Sequence, residues 1–512
     1  LYGLCNMALG NETDAKDGFS VASYSISFRS AAYEKLAEMF LIACDWKKAE
    51  HYALKSKDFN QQNLKADQVL MIAYRKMGQM NKAKAVIDSL LDDLPLYHLA
   101  RFEDLLLGTF NEANKNSFAS LIRSELSFET FMEMAEWYET VECKDEALIL
   151  FSFIDNYKRA WLLYEKGNIS ESLEMLDRAN ELSPEYIFPF RSSTIKVLEW
   201  AKTLRPNWKI DYYEGLIYWA NQNKEKALEL FDNCGEVEYA PFYLSRASLK
   251  KGEGRLMDLL KAEQKRISWR TGFALINYYV ADHLWEQAVE VGEKYMKRYP
   301  SNYYIGLKYA KSLCEMGQYS QCISLLNKMS VLPNEGAYEG RAVYRAANLY
   351  RAIEQLNLGN YESAMKSVED SKKWPENLGV GKPYDNMIDN RLENYLEAKV
   401  AKKQGDRQKE LEILSLVANY KFSREYFESG NLLSALALQE LGKVSEADDM
   451  VKIWSIRFPN DQKVQWCTAI YHKEYDKAIE CLKSRKEQID STPWENSFYD
   501  SNFDLLVRLF GL

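Results

Sequence analysis

The chain has 512 residues, 47% of them hydrophobic, and a formal charge of -9. With a pI near 5.4 and its Lys, Arg, Asp and Glu interspersed, it lacks the basic stripe that nucleic acid or an anionic membrane surface requires. Only 11 Pro and 23 Gly punctuate it, too few for a turn-rich β chain or a disordered one, and no apolar run reaches the roughly 18 residues of a membrane span.

Residues 1–29 are polar and rich in small side chains, with one short helix expected over Leu1 to Leu9. They are expected to be a lead-in from a preceding domain, since the chain opens on Leu1 and not Met. From residue 30 a pattern recurs. A first copy runs through Tyr33, Leu36, Ala37 and Phe40, then Asp45, Trp46 and Ala49. The clearest copy is Leu64 to Pro95, where Leu70, Tyr74, Gly78, Ala83, Ile87 and Pro95 mark two amphipathic helices. Ala83 lets the helix backbones approach, Gly78 turns the chain and Pro95 stops the second helix. A degenerate pair follows at 97–126. The register returns with Met134, Ala135, Tyr138, Ala147 and Phe151, and again with Ala160, Gly167, Leu176, Ala179 and Pro184, closing a first block at 30–187. Residues 188–207 form an irregular helical insertion. A second block, 208–485, carries Gly215, Tyr218, Ala227 and Phe231, a weaker unit at 240–265, and then Tyr279, Ala288, Tyr295 and Pro300. Its later copies are marked by Ala310, Gly317 and Tyr319; by Ala352, Gly359 and Ala364; by Ala398, Gly405 and Leu414; by Ala435, Gly442, Ala447 and Pro459; and by Tyr475, Ala478 and Leu482. A final capping helix is expected over 486–512.

This spacing resembles the tetratricopeptide repeat, whose period is about 34 residues. One pair cannot bury its apolar face alone, so roughly twelve such units imply a stack. The expected fold is all-α, a right-handed superhelical solenoid of antiparallel helix pairs, either continuous or with a break in curvature near 188–207. Such a stack also escapes the limit of about 250 to 300 residues on a single core.

Chemistry-bearing patterns are sparse. His51, His98, His283 and His472 lie far apart with no HExxH spacing, and no GxSxG occurs. No metal, cofactor or catalytic residue is expected. The eight cysteines contain no CxxC, which fits small buried thiols and a reducing, cytoplasmic setting; a disulfide between Cys314 and Cys322 stays open, as does export. The longest irregular connection is residues 371–390. Its GVGK, Gly379 to Lys382, is not a phosphate loop, because Glu376 stands where that motif needs Gly and Pro383 where it needs Ser or Thr. The loop is either a folded cap with Trp374 packed on the helices or a contact site through Trp374, Asn377, Lys382, Tyr384 and Asp385. Projecting the inner face of the first helices gives Tyr212, Leu216 and Trp219; Arg270, Phe273 and Asn277; and Tyr304, Leu307 and Lys311. These side chains either anchor a partner in the groove or pack on the adjacent helix. Asn277 and Lys311 match part of a carboxylate clamp, but Phe273 replaces its first Lys.

The runs GNETDAKDGFSVASYSISFRSAAYEKLA, APFYLSRASL, NYYIGLKYAKSL and WPENLGVGKPYD resemble the C-terminal region of a bacterial, Bacteroides-type family of unknown function. Members of that family join an N-terminal β-sandwich to a long tetratricopeptide region. The resemblance implies a partner in that sandwich and carries over no catalytic residue. The expected function is a non-catalytic protein-interaction scaffold that docks its own N-terminal domain or another protein through the groove and loop 371–385. The alternative is an accessory region of a carbohydrate-active or glycan-binding protein, with Tyr212 and Trp219 stacking on sugar rings and carbohydrate met only via the absent domain.

Overall fold

The computed structural model describes residues 1–154, 156–334, 337–420, 428–491 and 502–511, with side chains omitted at 484–491. Thirty α-helices and no strand occur among these residues, arranged as successive antiparallel pairs of a tetratricopeptide-type solenoid. No helix among them is long and apolar enough to cross a membrane.

The reference pair consists of Leu64–Lys76 and Met80–Asp93. Asn63 caps the first helix, its side chain accepting from the backbone N–H groups of Lys65 and Ala66. Gly78 adopts φ +71°, and the Gln79 N–H donates to Tyr74 O at 2.8 Å to close the turn. Leu70, Tyr74, Ala83 and Ile87 are all buried. The same left-handed turn recurs at Gly167, Gly317, Gly359, Gly405 and Gly442, and also at Cys44, Glu142, Gln222, His283 and Lys473. The latter five pay steric strain that glycine avoids, about 1–2 kcal/mol each. Cys44 is accordingly exposed in its turn, as is Cys5, while the other six cysteines are buried. Cys314 and Cys322 are both free thiols, so no disulfide joins them. A hydrogen bond with Cys314, followed by burial, pushes the Cys322 thiol far above its ordinary range.

The chain divides into two compact units, Leu1–Val237 and Glu238–Leu512. In the first, the expected lead-in is itself a helix pair, Tyr2–Ala8 and Glu12–Ala22. Gly3 and Gly18 bring the two backbones together, and Ala15 and Phe19 pack against Leu36 and Met39 of the next helix. The small residues that make this stretch look like linker are the ones its helix crossing needs. The 188–207 segment contributes the short 3-10 turn Ser192–Thr194 and the helix Ile195–Leu204, whose Val197, Leu198 and Ala201 are buried. Across neighbouring pairs, Arg75 bridges Glu103 at 2.7 Å and Glu146 at 2.9 Å, and Tyr138 Oη donates to Glu103.

In the second unit the first helices of successive pairs touch one another, from Trp269–Ala281 through Tyr303–Glu315, Glu339–Asn357, Arg391–Gln404 and Gly430–Glu440 to Gln462–Tyr471, forming one continuous layer. A capping helix is expected over 486–512. The helix Tyr475–Ser491 runs past residue 485, 492–501 of the expected cap lie outside the described residues, and Phe503–Leu509 is helical and lies back on the first-helix layer.

Replacing Ala83 by Leu should force this crossing apart and lower stability by about 1–3 kcal/mol in denaturant melts. Glu214, buried with its Oε1 unpartnered, is raised to about 7, chiefly by burial. It is therefore neutral in both states below about pH 4.5, and the unfolded chain ionises first as pH rises, so stability is lost between about pH 4.5 and 7. Glu214→Gln should abolish that loss: wild type and variant melt alike at pH 4.5 and diverge towards pH 8, the variant being the more stable.

Candidate functional site

In the second unit a cavity of about 580 Å³ opens between the end of Tyr303–Glu315, the first half of Glu339–Asn357, the loop after residue 371 and the terminal helix. Residues 371–390 have two differently built halves. The first half is fixed. Asn377 Nδ2 donates to the carbonyls of Leu326 and Met329 at 2.9 and 2.7 Å, and the Val331 N–H donates to Asn377 O at 2.8 Å. These bonds satisfy carbonyls left open where the helix Tyr319–Lys328 ends. Leu378 is fully buried beside Val331 and Val343. Gly379 has φ +76° and faces Val331 O so closely that a Cβ would meet it at 2.9 Å. The second half projects: Tyr384 is 81% and Met387 71% exposed, with Lys382 and Asp385 paired at 2.6 Å.

Trp374 joins the two halves to the cavity. Its ring lies 4.6 Å from the guanidinium carbon of Arg341, whose Nη2 donates to Ser371 O at 2.8 Å. Burial, followed by repulsion from Arg345, lowers the Arg341 guanidinium to about 10. One turn along the helix, Arg345 reaches Glu393 with two nitrogens, and this pairing raises it despite its burial. On the far wall the Arg508 guanidinium meets Glu315 at 3.3 Å and covers the Tyr350 ring, and Phe503 packs edge-on against Trp466. The terminal helix thus touches three members of the first-helix layer.

Apart from Lys382, Tyr384 and Asp385 on the projecting tip, the structure sorts the expected contact residues into four settings. Lys311 and Trp374 share the cavity. Phe273 and Tyr304 belong to a second cluster, the Tyr304 ring lying edge-on to Phe273 and stacked on Trp269 and Tyr303. Exposed Arg270 sits over Trp269 in the same cluster, and Asn277 is half-buried two turns further along that helix. Tyr212 does not face a groove. It is 2% exposed and packed on Tyr213 and Phe231, with half-buried Trp219 edge-on to the same Phe231 ring, which removes Tyr212 as a stacking surface for a sugar. Asn377 is a structural staple, because its amide is consumed by backbone carbonyls, and Leu307 is buried under Gly340. Arg341, Arg345 and Glu315 were absent from the expected set. Their one signal is the four-residue spacing of Arg341 and Arg345, which puts both on one helix face.

No protein-family model matches the chain, and no curated protein sequence matches it. Among solved structures it is similar to the Naa15/Naa10 complex bound to HypK-THB, at 13% identity over 96% of this chain and 83% of that one, with a TM-score of 0.29. Yeast Tom70 matches at 13% identity over 93% and 97%, TM-score 0.25. PilW, a type IV pilus biogenesis factor, matches at 16% identity over 43% and 96%, TM-score 0.25.

Asn377→Ala should free two backbone carbonyls and lower stability by about 1–3 kcal/mol. Proteolysis between residues 371 and 380 should accelerate in the variant while cleavage at 381–387 changes little.

Proposed function

We propose that the chain is a non-catalytic scaffold that docks a protein segment on the first-helix layer of its second unit, with loop residues 381–387 as the outer contact. The observation carrying this reading is the two-part loop. A fixed half stapled by Asn377 holds out a tip on which Tyr384 and Met387 stand exposed beside a cavity walled by Trp374. Exposed aromatic and Met side chains suit protein contact because they offer large apolar area, and the fixed base spares the backbone ordering that binding otherwise costs. The partner is the β-sandwich domain that the sequence resemblance implies, or a separate protein meeting the same face.

A photo-crosslinking residue placed at position 384 or 387 tests this in lysate of the native host, with Leu416, 66% exposed on the second helix of its pair, as control. Discrete adducts from 384 and 387, lost in Trp374→Ala and absent from 416, are expected. Equal labelling from all three positions would contradict the docking face.

A further inference from the structure

Arg341 and Arg345 line the second unit's cavity and Arg391 follows its lining residues Asp389 and Asn390; of these three guanidiniums only two are matched. Arg345 is held by Glu393. Arg391 is held by Asp389 at 2.8 Å and Glu428 at 3.1 Å, with Asn431 as a further acceptor. Arg341 is 5% exposed and makes no ion pair among the described residues; Nη2 bonds to a backbone carbonyl, and Nε is enclosed without an acceptor. The acids on the cavity wall do not make up the deficit. Glu315 is taken by Arg508, Glu339 by Lys308 at 2.7 Å, and Asp389 and Glu428 by Arg391. Asp504 is not without a partner either. Lys311 lines the same cavity and also makes no ion pair among the described residues.

A buried charge without a counter-charge is costly, and the cost is removed when an anion arrives. We propose that Arg341 and Lys311, with Trp374 as a wall, form a receptor for one carboxylate, and that an acidic side chain of the docked protein segment fills it. This assignment rests on the scaffold reading and names the chemistry its partner must carry. The Trp374 ring lies 4.6 Å from the guanidinium carbon, and with Nη2 bonded to Ser371 O and Nε enclosed, Nη1 is the nitrogen without an acceptor among the described residues that a carboxylate oxygen would meet.

The test is a ligand-observed saturation-transfer NMR titration of the whole chain at fixed ionic strength. The probes are N-acetylglutamate N-methylamide, the matching glutamine amide and inorganic phosphate. Saturable binding of the glutamate probe is expected, with none of the glutamine probe. Binding should weaken at least about tenfold in Arg341→Gln and in Lys311→Gln, the latter altering a half-exposed side chain that makes no ion pair among the described residues. Arg270→Gln, on the separate aromatic cluster, should bind as wild type does. Unchanged binding in Lys311→Gln, no saturable binding, or binding of phosphate alone would overturn the assignment. Adducts from position 384 without carboxylate binding would sink this site and leave the scaffold. Carboxylate binding without adducts would keep the site and remove the docking face.

Discussion

Contact at residues with little or no side chain is the constraint on which every helix pair depends. Ala83, Ala227, Ala288, Ala364 and Ala447 are completely buried, each early in the second helix of its pair. Where glycine takes this role an aromatic ring fills the gap: a Cβ on Gly215 would run into Phe231, one on Gly272 into Tyr295, and one on Gly292 into Tyr309. Close-packed interiors tolerate such intrusions poorly. The consequence is a set of rigid pairs whose stability adds through neighbour contacts, and the second unit inherits from it a continuous layer of first helices.

That layer explains why the loop can hold a definite shape. A long connection normally loses conformational freedom only at considerable cost. Here the cost is met at three adjacent residues: Asn377 consumes helix-end carbonyls, Leu378 enters the core and Gly379 takes a left-handed conformation where a Cβ would strike Val331 O. With these fixed, Trp374 is placed over Arg341, and the cavity acquires one wall from the loop and another from the terminal helix.

The fold was legible because its determinants are local and periodic. Gly78, Ala83 and Pro95 announce a turn, a crossing and a stop, and each helix pair repeats some of them. The gaps in the pattern have physical causes: Cys44, Glu142, Gln222, His283 and Lys473 hold the left-handed turn without glycine, and the small residues of 1–29 disguise a helix pair as a linker. The site was less legible. Loop residues Trp374 and Asn377 stood out by their irregular context, yet their roles depend on carbonyls and a guanidinium brought in from distant parts of the chain. Tyr212 illustrates the opposite error, since a periodic projection assigns a face but not whether a neighbouring ring covers it. Arg341 carries no distinguishing mark in the sequence, because the absence of a partner is a property of three-dimensional surroundings.

Amide hydrogen exchange across residues 326–390 tests the central claim, that the loop is a fixed platform with a projecting tip. The amides of Val331, Leu378 and Gly379, each hydrogen-bonded, should exchange orders of magnitude more slowly than those of 381–386. Uniformly fast exchange from 371 to 390 would show that the loop has no anchored half, and the cavity with its unmatched guanidinium would lose the wall that defines it.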